Sequence, residues 1–164
     1  MVKKTAEEQM KALFAKHSFP PIEVIIPILE KAGRGEQELT NQIYDTYLSL
    51  AKEAKEILGL KEKNMKTLAK LMGTLWSFEG QKFEPIELSD SRLVVSVPEC
   101  PMIRVGKNVD FDVKSRFCDL ICTAGSRALI DAVFGEDKGT CVWNKSLIKG
   151  TGKCKVVFEL VKAK

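Results

Sequence analysis

The sequence lacks any long apolar run. In its 164 residues no stretch approaches the roughly 18 consecutive apolar residues that a membrane-spanning helix needs. The N-terminus, from Met1 to Glu8, leads into a charged stretch and not into the apolar segment of a signal peptide. We therefore expect no membrane span and a cytoplasmic location.

An excess of charge of one sign is also lacking. The 26 basic residues nearly balance the 22 acidic ones and leave a formal charge of +4, whereas a nucleic-acid-binding surface is far more one-sided. With 45% hydrophobic and 29% charged residues, the composition is typical of a globular protein and excludes a disordered one. We expect a single domain over residues 1–164 and no nucleic-acid partner.

Histidine is scarce, and cysteine is confined to one part of the chain. The single histidine, His17, lies at the end of the first predicted helix and far from the cysteines in sequence. The first 99 residues contain no cysteine, and all five cysteines fall between Cys100 and Cys154. An odd number of cysteines in a reducing compartment disfavours a disulfide framework.

The N-terminal half, residues 1–80, has the periodicity of helices. Thr5 and Glu8 form a capping box that predicts a first helix ending near Lys16. Apolar residues three and four positions apart predict further helices over residues 21–32, 36–58 and about 65–78, and Gly59 stands where a C-cap glycine belongs.

Residues 81–164 combine strand patterns with one more helix. Alternating apolar residues predict strands over residues 83–88 and 93–97, the second ended by Pro98. A helix over residues 113–134 follows, and then strands over residues 140–148 and 154–161 joined by a Gly150-Thr151-Gly152 turn. The predicted fold class is α+β, in which N-terminal helices pack with an antiparallel sheet of two hairpins and one further helix.

Four of the five cysteines are expected to converge. Cys118 and Cys122 lie four residues apart on a helix, so their sulfurs share one face. Their Cβ atoms, about 5–6 Å apart, are too distant for a disulfide, but a bound metal could bridge the sulfurs. Cys100 follows one strand and Cys154 begins another, so both can approach the helix, whereas Cys141 is excluded from this set.

The converging thiols allow three interpretations. They can be small packed hydrophobes without chemistry. They can bind a soft metal, for which zinc or an iron–sulfur cluster is the expected cofactor. They can include a catalytic thiol near a helix start, which needs a base such as Glu99 or Asp119 because no histidine is near in sequence.

The C-terminal half resembles a known family. Cys118-x₆-Gly125-x₉-Gly135, followed by Gly150-x₃-Cys154, resembles the 4-vinyl-reductase or hydrocarbon-binding domain and its relative, L-2-amino-thiazoline-4-carboxylate hydrolase. The resemblance covers about 60 residues, since the motif lies between Glu99 and Leu160.

This resemblance implies a zinc ion beside an apolar pocket, with Cys118 and Cys154 as ligands. The sequence departs from the family where Lys145-Ser146 stands in place of Glu-Cys. Either Cys122 or Cys100 would then have to supply the missing ligand, or the site would hold no metal. The hydrolase relative implies instead a cysteine-dependent reaction on a small heterocyclic or amide substrate.

The leading functional hypothesis is a domain that binds a small apolar molecule next to a cysteine-rich metal site. The predicted pocket lies between the N-terminal helices and the sheet, lined by Trp76, Ala124, Gly125 and Ala128. A cysteine-dependent hydrolase is the first alternative. A protein-interaction or dimerisation module without chemistry is the second, and a homodimer is possible.

Overall fold

A computed structural model of the protein describes residues 4–17, 36–100, 111–144, 147, 150 and 152–161. The described residues form helices α1 (Ala6–Lys16), α2 (Glu36–Ile57), α3 (Met65–Phe78) and α4 (Phe111–Phe134), and strands β1 (Lys82–Leu88), β2 (Arg92–Glu99), β3 (Gly139–Asn144) and β4 (Cys154–Leu160). The predicted α+β class is confirmed. The helix predicted over residues 21–32 lies outside the described residues.

Local capping signals define three of the helix ends. The Thr5 side chain accepts a hydrogen bond from the Glu8 backbone N–H, and the Glu8 carboxylate accepts one from the Thr5 N–H, so the predicted capping box is present. Asn64 caps α3 by accepting from the Thr67 backbone N–H at 2.8 Å. Gly59 follows α2 with φ +64°, a conformation that glycine adopts without a steric penalty.

The strands form one four-stranded antiparallel sheet in the order β1-β2-β4-β3. The two predicted hairpins, β1 with β2 and β3 with β4, are both present. They join through the central pair β2 and β4, in which Leu93 lies opposite Phe158 and Val97 lies opposite Cys154. The end of the sheet at this last pair is where the cysteines gather.

Two predicted strand ends are wrong. β2 continues through Pro98 to Glu99, because Pro98 lies beyond the last β2–β4 pair and opposite a register shift in β1, where no ladder N–H is required. β3 ends at Asn144, and Leu147 has a turn conformation, so this strand is shorter than the predicted 140–148.

The core lies between one face of the sheet and the helices. α4 packs against α2 and β3, and α3 packs against β1. The largest fully buried side chains include Phe158 of β4, Leu93 of β2 and Leu129 of α4. Val142 points to the opposite face of the sheet and is 66% exposed. No helix in the described part of the chain combines the length and apolarity needed to cross a membrane.

Candidate functional site

Four cysteine side chains line one small cavity at the end of the sheet where β2 finishes and β4 begins. They come from three parts of the chain, since Cys100 follows β2, Cys118 and Cys122 lie on α4, and Cys154 is the first residue of β4. Within the described ranges, the lining consists of Gln81, Val97, Cys100, Cys118, Cys122, Trp143, Leu147 and Cys154. These are the four cysteines that the sequence predicted to converge.

The thiol cavity, as we name this space, is narrow and mostly apolar. The space in it that the centre of a water molecule can occupy measures about 10 Å³. This is room for about one water. Val97, Trp143 and Leu147 supply its apolar walls, and among the described lining residues the amide of Gln81 is the one polar group on a side chain that projects into it besides the thiols. A larger occupant must therefore displace some of these side chains.

The two thiols on α4 are in direct contact. The Cys118 and Cys122 sulfurs lie 3.4 Å apart, as expected for residues one helical turn apart. The pKa of the Cys122 thiol is held well above its usual range, first by the hydrogen bond with Cys118, then by burial and by the charges that the other three thiols of the cavity would carry. At neutral pH Cys122 is therefore a protonated thiol.

Cys141 stands apart from the other cysteines, as predicted. Its thiol donates to the Thr123 backbone oxygen at 3.8 Å, and Cys141 is absent from the cavity lining. Burial raises the pKa of this thiol to about 11. Cys141 is thus a matched control for experiments on the cavity thiols.

The predicted zinc or iron–sulfur cofactor has no ready-made ligand set in the part of the chain that the structure describes. In these ranges no group of three or more histidine, cysteine, aspartate or glutamate side chains is arranged to hold a metal ion. The four thiols share a cavity. Metal binding to them stays a prediction.

The predicted pocket residues lie in the core, outside the lining of the thiol cavity. Trp76, Ala124 and Ala128 are buried, and Trp76 contacts the cavity residue Trp143 with ring centroids 5.7 Å apart. At Gly125 the helix surface is covered by the Tyr47 ring, which lies 3.5 Å from the position that a Cβ would take. Their role in ligand binding stays a prediction.

A carboxyl group next to the cavity was missed by the sequence reasoning. Glu79, directly after α3, accepts a hydrogen bond from the Tyr47 hydroxyl at 2.9 Å and one from the Gln81 amide at 3.3 Å. Burial raises the pKa of Glu79 to about 7, against the opposing effect of the Tyr47 hydrogen bond. The available signal was an acidic residue at a helix C-terminus, where the helix dipole disfavours negative charge.

The bases proposed from the sequence are elsewhere. The Glu99 carboxylate is exposed and pairs with Lys82 at 2.8 Å, and Asp119 is exposed on α4. His17 caps α1 and lies 3.3 Å from the Glu53 carboxylate. Asp119 and His17 are not part of the cavity lining, and neither is Glu99.

Comparison with known proteins supports the fold alone. No family model and no curated protein matches the chain. Among solved structures, the chain is similar to a trafficking protein particle complex subunit 3 from Naegleria fowleri, whose crystal structure shows it covalently bound to palmitic acid. The two share 14% sequence identity and a TM-score of 0.60, over 95% of this chain and 97% of that one. This chain therefore has the fold of that subunit.

Proposed function

We propose that this protein binds a small apolar molecule in its interior, with the reactive end of the ligand at the thiol cavity. The observation that carries the proposal is the gathering of four thiols and three apolar side chains around one buried space. Such a space, apolar with a few convergent functional groups, is the usual form of a small-molecule site.

A fatty acyl group is the ligand class that suits this space. The structurally similar trafficking complex subunit is covalently bound to palmitic acid, and a cysteine thiol can hold an acyl group as a thioester. In this chain the hydrocarbon part would lie along the neighbouring rings of Trp143 and Trp76. Because the cavity has room for about one water, binding requires side chains to move aside.

The test is to incubate the purified protein with palmitoyl-coenzyme A and to measure its intact mass. We expect a single acyl adduct that neutral hydroxylamine removes, as it does for thioesters. The double variant Cys118→Ser/Cys122→Ser should form no adduct, whereas Cys141→Ser, which alters the cysteine outside the cavity, should form it like the wild type. An adduct that persists in the double variant, or none in the wild type, would contradict the proposal.

Binding itself has a built-in spectroscopic probe. The chain contains two tryptophans, Trp76 and Trp143, and both lie at or next to the cavity. Free palmitate, which cannot acylate a thiol, should therefore change the tryptophan fluorescence in a saturable way. A short-chain acid such as acetate provides the control, because it buries too little apolar surface to bind.

A soft metal ion is the second candidate occupant, favoured by the number of thiols. Four cysteines are the ligand set of structural zinc sites and of many iron–sulfur clusters. If the thiols bind zinc, protein purified without chelator should contain about one zinc ion per chain. The Cys118→Ser variant should contain none. Substoichiometric metal in the wild type would eliminate this candidate without affecting the acyl-binding proposal.

A protein-interaction module is the third candidate, favoured by the exposed side of the sheet. Val142, Ile86 and Val161 are more than half exposed, and the similar structure is a subunit of a multi-protein complex. Light scattering on the purified chain tests for a homodimer. If a dimer forms, Val142→Lys should dissociate it by placing a charge in the apolar contact, and unchanged association would exclude this surface.

A further inference from the structure

A row of three aromatic rings leads away from the thiol cavity. Trp143 lines the cavity, and the centroid of its ring lies 5.7 Å from that of Trp76 on α3. The Trp76 ring meets the ring of Phe83 on β1 edge-on, with centroids 6.3 Å apart. We name these three side chains the aromatic row. The row joins the thiols to the edge of the sheet through direct ring contacts.

The Phe83 ring, at the far end of the row, fills a groove on α3. Gly73 has no side chain, and a Cβ added to it would lie 2.5 Å from Cε1 and 2.8 Å from Cζ of Phe83. Side chains in a folded protein do not pack this closely. The ring therefore occupies the space that a side chain at Gly73 would take, and α3 would present an open groove if the ring moved out.

Phe83 is also the ring of the row that is held least firmly. Its side chain is partly exposed, whereas Trp76 is 4% exposed and Trp143 donates a hydrogen bond to the Ser126 hydroxyl at 2.9 Å. β1 is an edge strand, and the register of its pairing with β2 shifts at Phe83. A residue at such a bulge is left out of the ladder, so its side chain can turn outward without breaking a strand pair.

We propose that the Phe83 ring is a displaceable plug, and that the far end of a long acyl chain takes its place over Gly73. This inference rests on the proposed acyl-binding function and adds to it the path of the chain and the residue that selects its length. Because the thiol cavity has room for about one water, the chain has to extend beyond it. The aromatic row gives the chain an apolar path of this kind.

The exchange of ring for chain predicts a dependence on chain length. Displacing Phe83 exposes the apolar surface of its ring, and each methylene that enters the groove over Gly73 is removed from water in return. A short chain that ends near Trp76 does not reach the ring. Phe83 should therefore affect the binding of long acyl chains and not that of short ones.

The experiment compares the dissociation constants of palmitate and octanoate, taken from the saturation of tryptophan fluorescence, in the wild type and in Phe83→Ala. Without the ring, no apolar contact has to be given up, so palmitate should bind about tenfold more tightly. Octanoate has about half as many methylenes to bury and ends short of the groove. Its dissociation constant should be unchanged.

Phe14→Ala is the matched control. Phe14 is likewise a partly buried aromatic ring, but it stacks on Phe78 with centroids 4.9 Å apart and is not a member of the aromatic row. The dissociation constants of both acids should be the same in Phe14→Ala as in the wild type. A tenfold gain in palmitate affinity in this variant too would show that the effect is not specific to the groove.

A double variant fills the groove from the other side. Phe83→Ala/Gly73→Leu places a leucine side chain of α3 in the space that the ring occupied, and leucine favours a helix more than glycine does. The gain in palmitate affinity should be lost, and octanoate binding should stay unchanged. If this variant binds palmitate as tightly as Phe83→Ala does, the chain does not run over Gly73 and the inference is wrong.

Fluorine NMR follows the ring itself in a chain whose packing is kept. With 4-fluorophenylalanine in place of Phe83, palmitate should move the fluorine signal towards its position in the unfolded protein, and octanoate should leave it in place. An unchanged signal at saturating palmitate overturns the inference. This measurement also decides the question if Phe83→Ala does not fold.

Failure of the inference is distinguishable from failure of the proposed function. A wild type that neither binds palmitate nor forms an acyl adduct overturns the proposed function. A wild type that binds palmitate overturns the inference alone if Phe83→Ala binds it no more tightly, or if the variant gains affinity for octanoate by the same factor.

Discussion

The sulfur atoms of Cys118 and Cys122 lie 3.4 Å apart on one face of α4. Their hydrogen bond is the largest of the causes that hold the pKa of Cys122 above its usual range, and the charge of Cys154 is the smallest of those identified. The contact between the two helical neighbours is therefore the main determinant of how reactive the Cys122 thiol is. The wild-type thiols should react slowly and unselectively with alkylating reagents at pH 6, because only a thiolate attacks.

Cys118→Ala should make Cys122 more reactive. The substitution removes both the hydrogen bond and the nearest thiol charge, so the pKa of Cys122 falls and the thiolate fraction at pH 8 rises about tenfold for each unit of decrease. Iodoacetamide labelling followed by peptide mass spectrometry measures the rate at Cys122. Cys154→Ala is the control, with a much smaller increase, and equal rates in both variants would contradict this account.

Short-range patterns were sufficient to predict which cysteines meet. The four-residue spacing of Cys118 and Cys122 determines their shared face, and the positions of Cys100 and Cys154 at strand ends bring them to the same end of the sheet. The pairing of Tyr47 with Glu79, 32 residues apart, depends on how α2 packs beside the end of α3. No local pattern encodes that contact.

The predicted pocket also shows that local sequence patterns do not determine contacts between distant elements. Small residues on α4, Ala124, Gly125 and Ala128, suggested room for a ligand, but they do not determine what fills it. At Gly125 the space is taken by the Tyr47 ring, which comes from a distant helix. Likewise Pro98 was expected to end β2, whereas the register shift in β1 lets the strand continue.

Two substitutions at Gly125 test how tightly Tyr47 covers it. Gly125→Ala adds a Cβ at an ordinary contact distance of 3.5 Å and improves helix propensity by about 1 kcal/mol, so stability should be unchanged or higher. Gly125→Leu must push the Tyr47 ring aside and should cost about 1–3 kcal/mol. It should also weaken palmitate binding. Urea unfolding measures the unfolding free energies of both variants. If Gly125→Leu were as stable as Gly125→Ala, the Tyr47 ring would not be closely packed against the helix.

The hydrogen bond between Tyr44 and Asp131 should contribute measurably to stability. The Asp131 side chain is 1% exposed. Its Oδ2 accepts a hydrogen bond from the Tyr44 hydroxyl at 2.9 Å, and its Oδ1 has no hydrogen-bond partner among the residues that the structure describes. Tyr44→Phe removes that donor while keeping the ring beneath Arg127. The unfolding free energy should fall by about 1–3 kcal/mol, the cost of leaving a buried acceptor unsatisfied.

An exposed ion pair provides the comparison for this prediction. Lys11 and Glu7 lie 2.7 Å apart on the surface of α1, each more than 60% exposed. Lys11→Gln should leave the unfolding free energy unchanged within the error of the measurement, because water and salt screen such pairs. If Tyr44→Phe lowers the unfolding free energy no more than Lys11→Gln does, then other groups hydrogen-bond to the Asp131 carboxylate when the Tyr44 hydroxyl is removed.

Glu79 should make the protein less stable as the pH rises through neutrality. Its pKa is about 7 in the folded state and near 4.5 when unfolded, so between these values the folded state binds more protons than the unfolded state. The unfolding free energy therefore decreases with pH over this window, and the contribution of protonated Glu79 is lost above about pH 7. The shift corresponds to at most about 3 kcal/mol.

The variant Glu79→Gln isolates this effect, since it cannot titrate and keeps a polar group for Tyr47 and Gln81. Between pH 5 and pH 8 the wild type should lose stability that the variant does not lose. The unfolding free energy of the variant should therefore rise relative to that of the wild type, by up to about 3 kcal/mol. Urea unfolding at several pH values measures it. Glu99→Gln, at an exposed carboxylate, should show a constant difference. A constant difference for Glu79→Gln as well would mean that the carboxyl group of Glu79 titrates like that of an ordinary glutamate.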